Sequence, residues 1–127
     1  MRLSVISAVL AMALAAPAMG QTTNTDTFKV KTGSDLVALC DVSTNDPNYM
    51  AAIHFCHGFV VGAFQFYLAQ VGNNAKEEFI CLPNPGPSRS EGIRAFVAWA
   101  KARPETASEK PVDTLFHYLG ETYPCKP

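Results

Sequence analysis

Residues Pro47–Gln70 read PNYMAAIHFCHGFVVGAFQFYLAQ, and this stretch decides the fold. Asp46 followed by Pro47 reads as a cap with proline at the first helical position, where a missing N–H costs nothing. Between Ala51 and Ala69 the only polar side chains are His54, His57 and Gln65. At helical spacing they form one narrow stripe shared with Val61. The rest of the circumference is apolar, so the sequence predicts a long central helix covered by its neighbours on several sides. Gly58 and Gly62 sit one turn apart, each costing up to about 1 kcal/mol of helix propensity relative to alanine. Their spacing predicts a second backbone in close approach.

Outward from this helix the other elements follow. Ser34 reads as the cap of a short helix carrying Leu36, Val37, Leu39 and Cys40. Gly72, Asn73 and Asn74 end the central helix, and a charged connector leads to Ile80-Cys81-Leu82. Pro83, Pro85, Gly86 and Pro87 exclude regular structure until Ser88, which forms a capping box with Glu91. The helix it opens has Ile93, Phe96, Val97 and Ala100 at i, i+3, i+4 and i+7. Pro104 stops that helix and a short polar loop follows. Pro111 marks the first turn of a last helix with Val112, Leu115, Phe116 and Leu119 in the same pattern. The expected fold is all-α: a small four-helix, disulfide-stapled bundle with one short and three longer helices.

At the N-terminus, Arg2 precedes an apolar, Ala-rich run from Leu3 to Ala16. It is too short to cross a hydrocarbon core of roughly 30 Å and is followed by small residues. Residues 1–20 therefore read as a signal peptide cleaved after Gly20 or Ala18, which places the product in the periplasm with no membrane insertion after cleavage. Residues 21–32 are Thr- and Asn-rich and read as a flexible leader. Residues 33–127 form the helical domain.

A domain of this size gains thin stability from its core alone. Its four cysteines, Cys40, Cys56, Cys81 and Cys125, are an even number in an oxidising compartment, so two disulfides are expected. Three pairings are open. A short connection makes the last two helices antiparallel, which brings Cys81 near Cys125; elimination then pairs Cys40 with Cys56. The two bridges would contribute about 3 and 4 kcal/mol.

The sequence excludes several function classes. Its 10 Lys and Arg against 11 Asp and Glu are scattered, so neither a nucleic-acid footprint nor a basic membrane-binding face is present. No Cys-x-x-Cys pair occurs for redox chemistry, a zinc ribbon or haem attachment. His54 and His57 share a helix face, but a zinc site needs a third ligand and Cys56 is wanted by a bridge. His117 lies off the apolar stripe of the last helix and reads as solvated. Glu77, Glu78, Glu105 and Glu109 have no apolar surroundings that would raise a carboxyl pKa for acid catalysis. No catalytic residue, metal or cofactor is expected.

Binding is what remains. The aromatics of the central helix exceed what three other helices can cover in so small a domain. Phe55, Gly58, Phe59, Gly62 and Phe66 are thus candidates for helix packing and for a self-complementary homodimer surface.

Four motifs occur together and in order: Cys56-His-Gly-Phe-Val-Val-Gly62, Ile80-Cys-Leu-Pro83, a capped helix ending at Arg103-Pro-Glu105, and Leu119 through Tyr123-Pro-Cys125. In these the chain resembles the Rap/Tai-type immunity protein family from about Gly33 to Cys125. Gln65 stands where the family commonly has an acidic residue, and Glu91 where a glutamine often follows the cap. The resemblance implies a small periplasmic helical protein, often dimeric, that neutralises a peptidoglycan amidase delivered by type VI secretion. It carries scaffold positions rather than toxin contacts. Candidate contacts are instead the polar loops tethered to rigid helices, Gly72–Glu78 and Asn84–Arg89, with Asn73, Asn74, Lys76, Glu77, Asn84 and Arg89. The competing reading is a periplasmic chaperone or stress-response helper with no toxin, whose apolar surface is released in acid through the three histidines.

Overall fold

A computed structural model describes residues 22–72 and 74–126. The signal-peptide region and Asn73 lie outside the described residues. Among the described residues four α-helices make up the fold: α1 (Gly33–Cys40), α2 (Tyr49–Val71), α3 (Arg89–Lys101) and α4 (Pro111–Thr122). Short 3-10 helices at Thr27–Lys29 and Pro104–Ser108 precede α1 and α4, the second standing where a polar loop is expected. Among the described residues the extended structure is a single antiparallel bridge between Ile80 and Pro124.

The hub is α1, the shortest helix. It packs against α2, α3, α4 and both 3-10 helices, and its Leu36 and Leu39 are fully buried. The sequence assigns that central role to α2, and the structure corrects it. The cap of α1 is also two residues earlier than expected from Ser34: the Thr32 hydroxyl accepts from Asp35 N–H, while the Asp35 carboxylate accepts from Thr32 N–H at 3.0 Å. This capping box satisfies two otherwise orphaned donors.

Gly33 lets α1 seat. Its N–H donates to the Glu109 carbonyl at 2.8 Å. A Cβ there would lie 2.8 Å from the Thr106 carbonyl oxygen and would overlap the Thr114 hydroxyl. Both threonines are buried, and Thr114 donates to the Thr106 carbonyl at 3.3 Å. Within the described residues, close backbone approach therefore occurs at Gly33, and no atom of the same chain beyond the helix's own backbone lies within 4 Å of a Cβ built at Gly58 or Gly62.

The leader is docked rather than free from residue 22 onward. Thr23 is buried, and its N–H and hydroxyl donate to Asp46 at 2.8 and 3.1 Å. Asp46 also accepts from Asn48 N–H at 2.7 Å, while Asn48 Nδ2 donates back to the Thr23 carbonyl. Asp46 is thus a staple for the leader and not the cap of α2, which begins at Tyr49 with Asn48 before it. The two N–H donors, Thr23 first, hold the Asp46 carboxyl below its usual range.

Two expectations follow. Gly33→Ala should destabilise the fold by about 1–3 kcal/mol through overpacking, read as a lowered urea midpoint at constant m-value. Gly92→Ala, whose Cβ meets nothing within 4 Å, should instead stabilise by up to about 1 kcal/mol. Equal effects at the two sites would refute the packing account. Asp46→Asn tests the staple. A depressed carboxyl contributes stability above the unfolded value of about 3.9 and loses it as pH falls through the folded value. The variant should melt below the wild type at pH 7, with the gap closing in calorimetric scans at pH below that range.

Candidate functional site

One side of α2 is fastened down. Cys56 is fully buried in a bridge to Cys40 of α1, and Tyr67 and Val71 face the core. The Tyr67 hydroxyl accepts the N–H groups of Phe79 and Ile80 at 2.9 and 3.0 Å. These residues belong to a clasp with the C-terminus: Cys81 N–H donates to the Tyr123 carbonyl, Cys125 N–H donates to the Phe79 carbonyl, and Cys81 is bonded to Cys125. Both bridges therefore tether α2, one directly and one through Tyr67.

The other side of α2 is open. Phe66 is 67% exposed, Met50 62% and Phe55 37%. Nothing lies within 4 Å of a Cβ built at Gly58 or Gly62. The structure separates the five residues grouped from the sequence: Gly58, Gly62, Phe55 and Phe66 are exposed, whereas Phe59 is half-buried against the core. Phe55 stacks on Phe59 and takes the Phe28 ring edge-on at 6.0 Å. Among the described residues α2 is the one helix long and apolar enough, by length and composition, to cross a membrane.

The described polar loop residues lie on the surface. Asn74, Lys76 and Glu77 are exposed after α2, and Asn84 and Arg89 are exposed before and at the start of α3. Ser88 and Glu91 form the expected capping box, and the Ser88 hydroxyl and N–H hold the Glu91 carboxyl below its usual range. The loop before α3 forms one wall of an apolar cleft of about 310 Å³, with Val60, Phe64, Leu82, Pro87, Ile93 and Arg89 in its lining. The second groove, about 580 Å³, runs between α1 and the α3 C-terminus, where Lys101 pairs with Asp41.

A polar network on α3 and α4 escapes sequence reasoning. The Glu121 carboxylate accepts from Trp99 Nε1 at 2.9 Å and pairs with Arg103 at 3.1 Å and with His117 Nε2 at 3.2 Å. The Arg103 guanidinium lies 4.6 Å from the Trp99 ring centre, in cation–π range. The indole N–H, with help from Arg103 and His117, keeps the Glu121 carboxyl below its usual range. His117 is therefore held between Glu121 and Glu109, the latter at 3.5 Å; it is solvent-exposed as expected but not isolated. The i, i+4 spacings of Trp99 with Arg103 and of His117 with Glu121 are the signals that mark it in the sequence.

His54 is exposed and His57 half-buried on α2. Among the described residues the grouping with metal-ligand spacing is Glu78 with Cys81 and Cys125, whose sulfurs are bonded to each other and so cannot serve as thiolate ligands. What the surface offers is shape: an open helix face, a stiff loop beside a cleft, and a Trp–Arg patch of the composition enriched at interface hot spots. No curated protein and no solved structure matches the chain. A model of the Rap1a immunity proteins does match, over residues 32–125, from the capping threonine of α1 to the last cysteine of the clasp. The chain belongs to the Rap1a immunity protein family.

Proposed function

We propose that this chain is exported to the periplasm, loses its first 20 or so residues, and neutralises a peptidoglycan amidase toxin delivered by type VI secretion. The observation that carries this reading is the family match across residues 32–125. The apolar run behind Arg2 and two bridges that suit an oxidising compartment support export. The mechanism is steric and not enzymatic. A surface held rigid by cross-links occupies the amidase cleft and excludes peptidoglycan, at reduced ordering cost because the loops are fixed beforehand. The contact surface is built from Asn73, Asn74, Lys76 and Glu77 after α2 and from Asn84 and Arg89 before α3. The open face of α2, with Phe55, Gly58, Gly62 and Phe66, is closed by a second copy of the chain.

Stoichiometric inhibition by the purified mature protein of peptidoglycan cleavage by an amidase of the type VI-delivered class tests the reading. Lys76→Glu and Arg89→Glu should each weaken inhibition by about 10-fold or more, the loss of one charged contact being worth about 1.4 kcal/mol. Their far-UV spectra should stay unchanged. An amidase that neither co-purifies with the protein nor is slowed by it would refute the proposal.

A further inference from the structure

The cleft beside the Pro-rich loop is a cup with an apolar interior and a single charge at its mouth. Ile93 and Phe96 of α3 and Leu115 and Leu119 of α4, all buried, form its floor. Val60 and Phe64 of α2 stand on one side, and Leu82 and Pro87 of the loop on the other. Arg89 is exposed at the rim, and of the lining residues it alone is charged. Among the described residues no carboxylate pairs with it.

The cup stays open because its walls are fastened. The Cys81–Cys125 bond and the backbone hydrogen bonds of the clasp hold the start of the loop, and the Ser88–Glu91 capping box holds its end. The Cys40–Cys56 bond and the Tyr67 hydroxyl hold α2. Preformed apolar concavities in which a few polar groups fix orientation are where small molecules bind.

We propose that this cleft binds a free medium-chain aliphatic carboxylate, with the tail on the floor and the head group on Arg89. Volume sets the tail. A cavity of about 150 Å³ takes benzene, so one of about 310 Å³ suits a single chain of about ten carbons and is too small for the two long chains of a bilayer lipid. Charge sets the head. The guanidinium fork of Arg89 can donate two parallel hydrogen bonds to a carboxylate, whereas a cationic head would meet an arginine and no acid in the lining. The inference does not rest on the amidase reading.

Sodium decanoate titrated into the mature protein, followed by calorimetry and by amide chemical shifts, is the test. One molecule should bind with a dissociation constant below about 1 mM and shift the amides of Gly92 and Ile93. Octanoate, two methylenes shorter, should bind about 10-fold more weakly. Arg89→Gln should weaken decanoate binding about 10-fold or more without weakening that of decylammonium. Gly92 lines the cleft, and a Cβ built there meets nothing within 4 Å. Gly92→Leu should therefore fill the cup and abolish binding with no loss of thermal stability, leucine being the better helix former. The proposal is overturned by an absence of saturable binding at millimolar decanoate, by equal affinity for decylammonium, or by undiminished binding to Gly92→Leu. Shifts confined to the open face of α2, or flotation with phosphatidylglycerol vesicles in place of decanoate binding, overturn it as well. Amidase inhibition, measured without decanoate, is decided by none of these results.

Discussion

Gly33 sits against the Thr106 carbonyl and the Thr114 side chain, and the rest of the structure depends on that contact. It brings α1 flush against the 3-10 turn and α4, so that Leu36 and Leu39 enter the core with no residual exposure. A side chain at residue 33 would hold α1 away by the width of a methyl group. Close-packed interiors do not absorb such a gap without losing contacts on both sides of it. From the far end of α1, Cys40 then carries the bridge to Cys56, so the seating of one short helix also sets where the longest helix lies.

Because α1 occupies the centre, α2 is displaced to the flank. It meets the core along Cys56, Ala63, Phe64, Tyr67 and Val71 and turns the opposite face outward. A face carrying Phe66 and Met50 at more than half exposure is not the cheapest surface for a protein to show to water. The fold nevertheless holds α2 firmly, through one disulfide at Cys56 and through the Tyr67 hydroxyl, which receives two backbone donors of the C-terminal clasp. This outward apolar surface on a well-anchored helix is the face that the proposed second copy would cover.

Elements with strong local signals were legible in the sequence. The Ser88–Glu91 capping box, the apolar i, i+3, i+4 stripes of α3 and α4, and Pro111 at the first turn of α4 all report short-range chemistry, and the structure places them where the pattern indicates. Long-range choices were not legible. Periodicity shows that α2 is apolar all round but not whether protein covers it, so the hub was assigned to α2 when it belongs to α1. Gly58 and Gly62 advertise a close approach by their spacing, whereas Gly33 looks like an ordinary residue before a serine. Asp46 before Pro47 has the appearance of a cap, yet its acceptors go to Thr23, distant in sequence. Of the site, the surface loops could be placed from their composition. Each half of the network, Trp99 with Arg103 and His117 with Glu121, shows in the sequence as an i, i+4 pair, but that the halves meet through Trp99–Glu121 and Arg103–Glu121 contacts depends on two segments packing side by side.

The electrostatics bear on what such a surface can do. A general acid or base works best with a pKa near the operating pH, which takes an environment that disfavours a charge without abolishing it. Here the perturbed carboxyls of Asp46, Glu91 and Glu121 all move down, each because hydrogen-bond donors hold the charged form. Burial, the leading cause, pushes the Tyr118 phenol up, further from neutrality. Each shift moves its group further from neutrality. Asp46 staples the leader, Glu91 closes a helix cap, and Glu121 ties Trp99 and Arg103 to α4. Charges spent in this way stiffen a surface, and a stiff surface is what a protein that acts by obstruction requires.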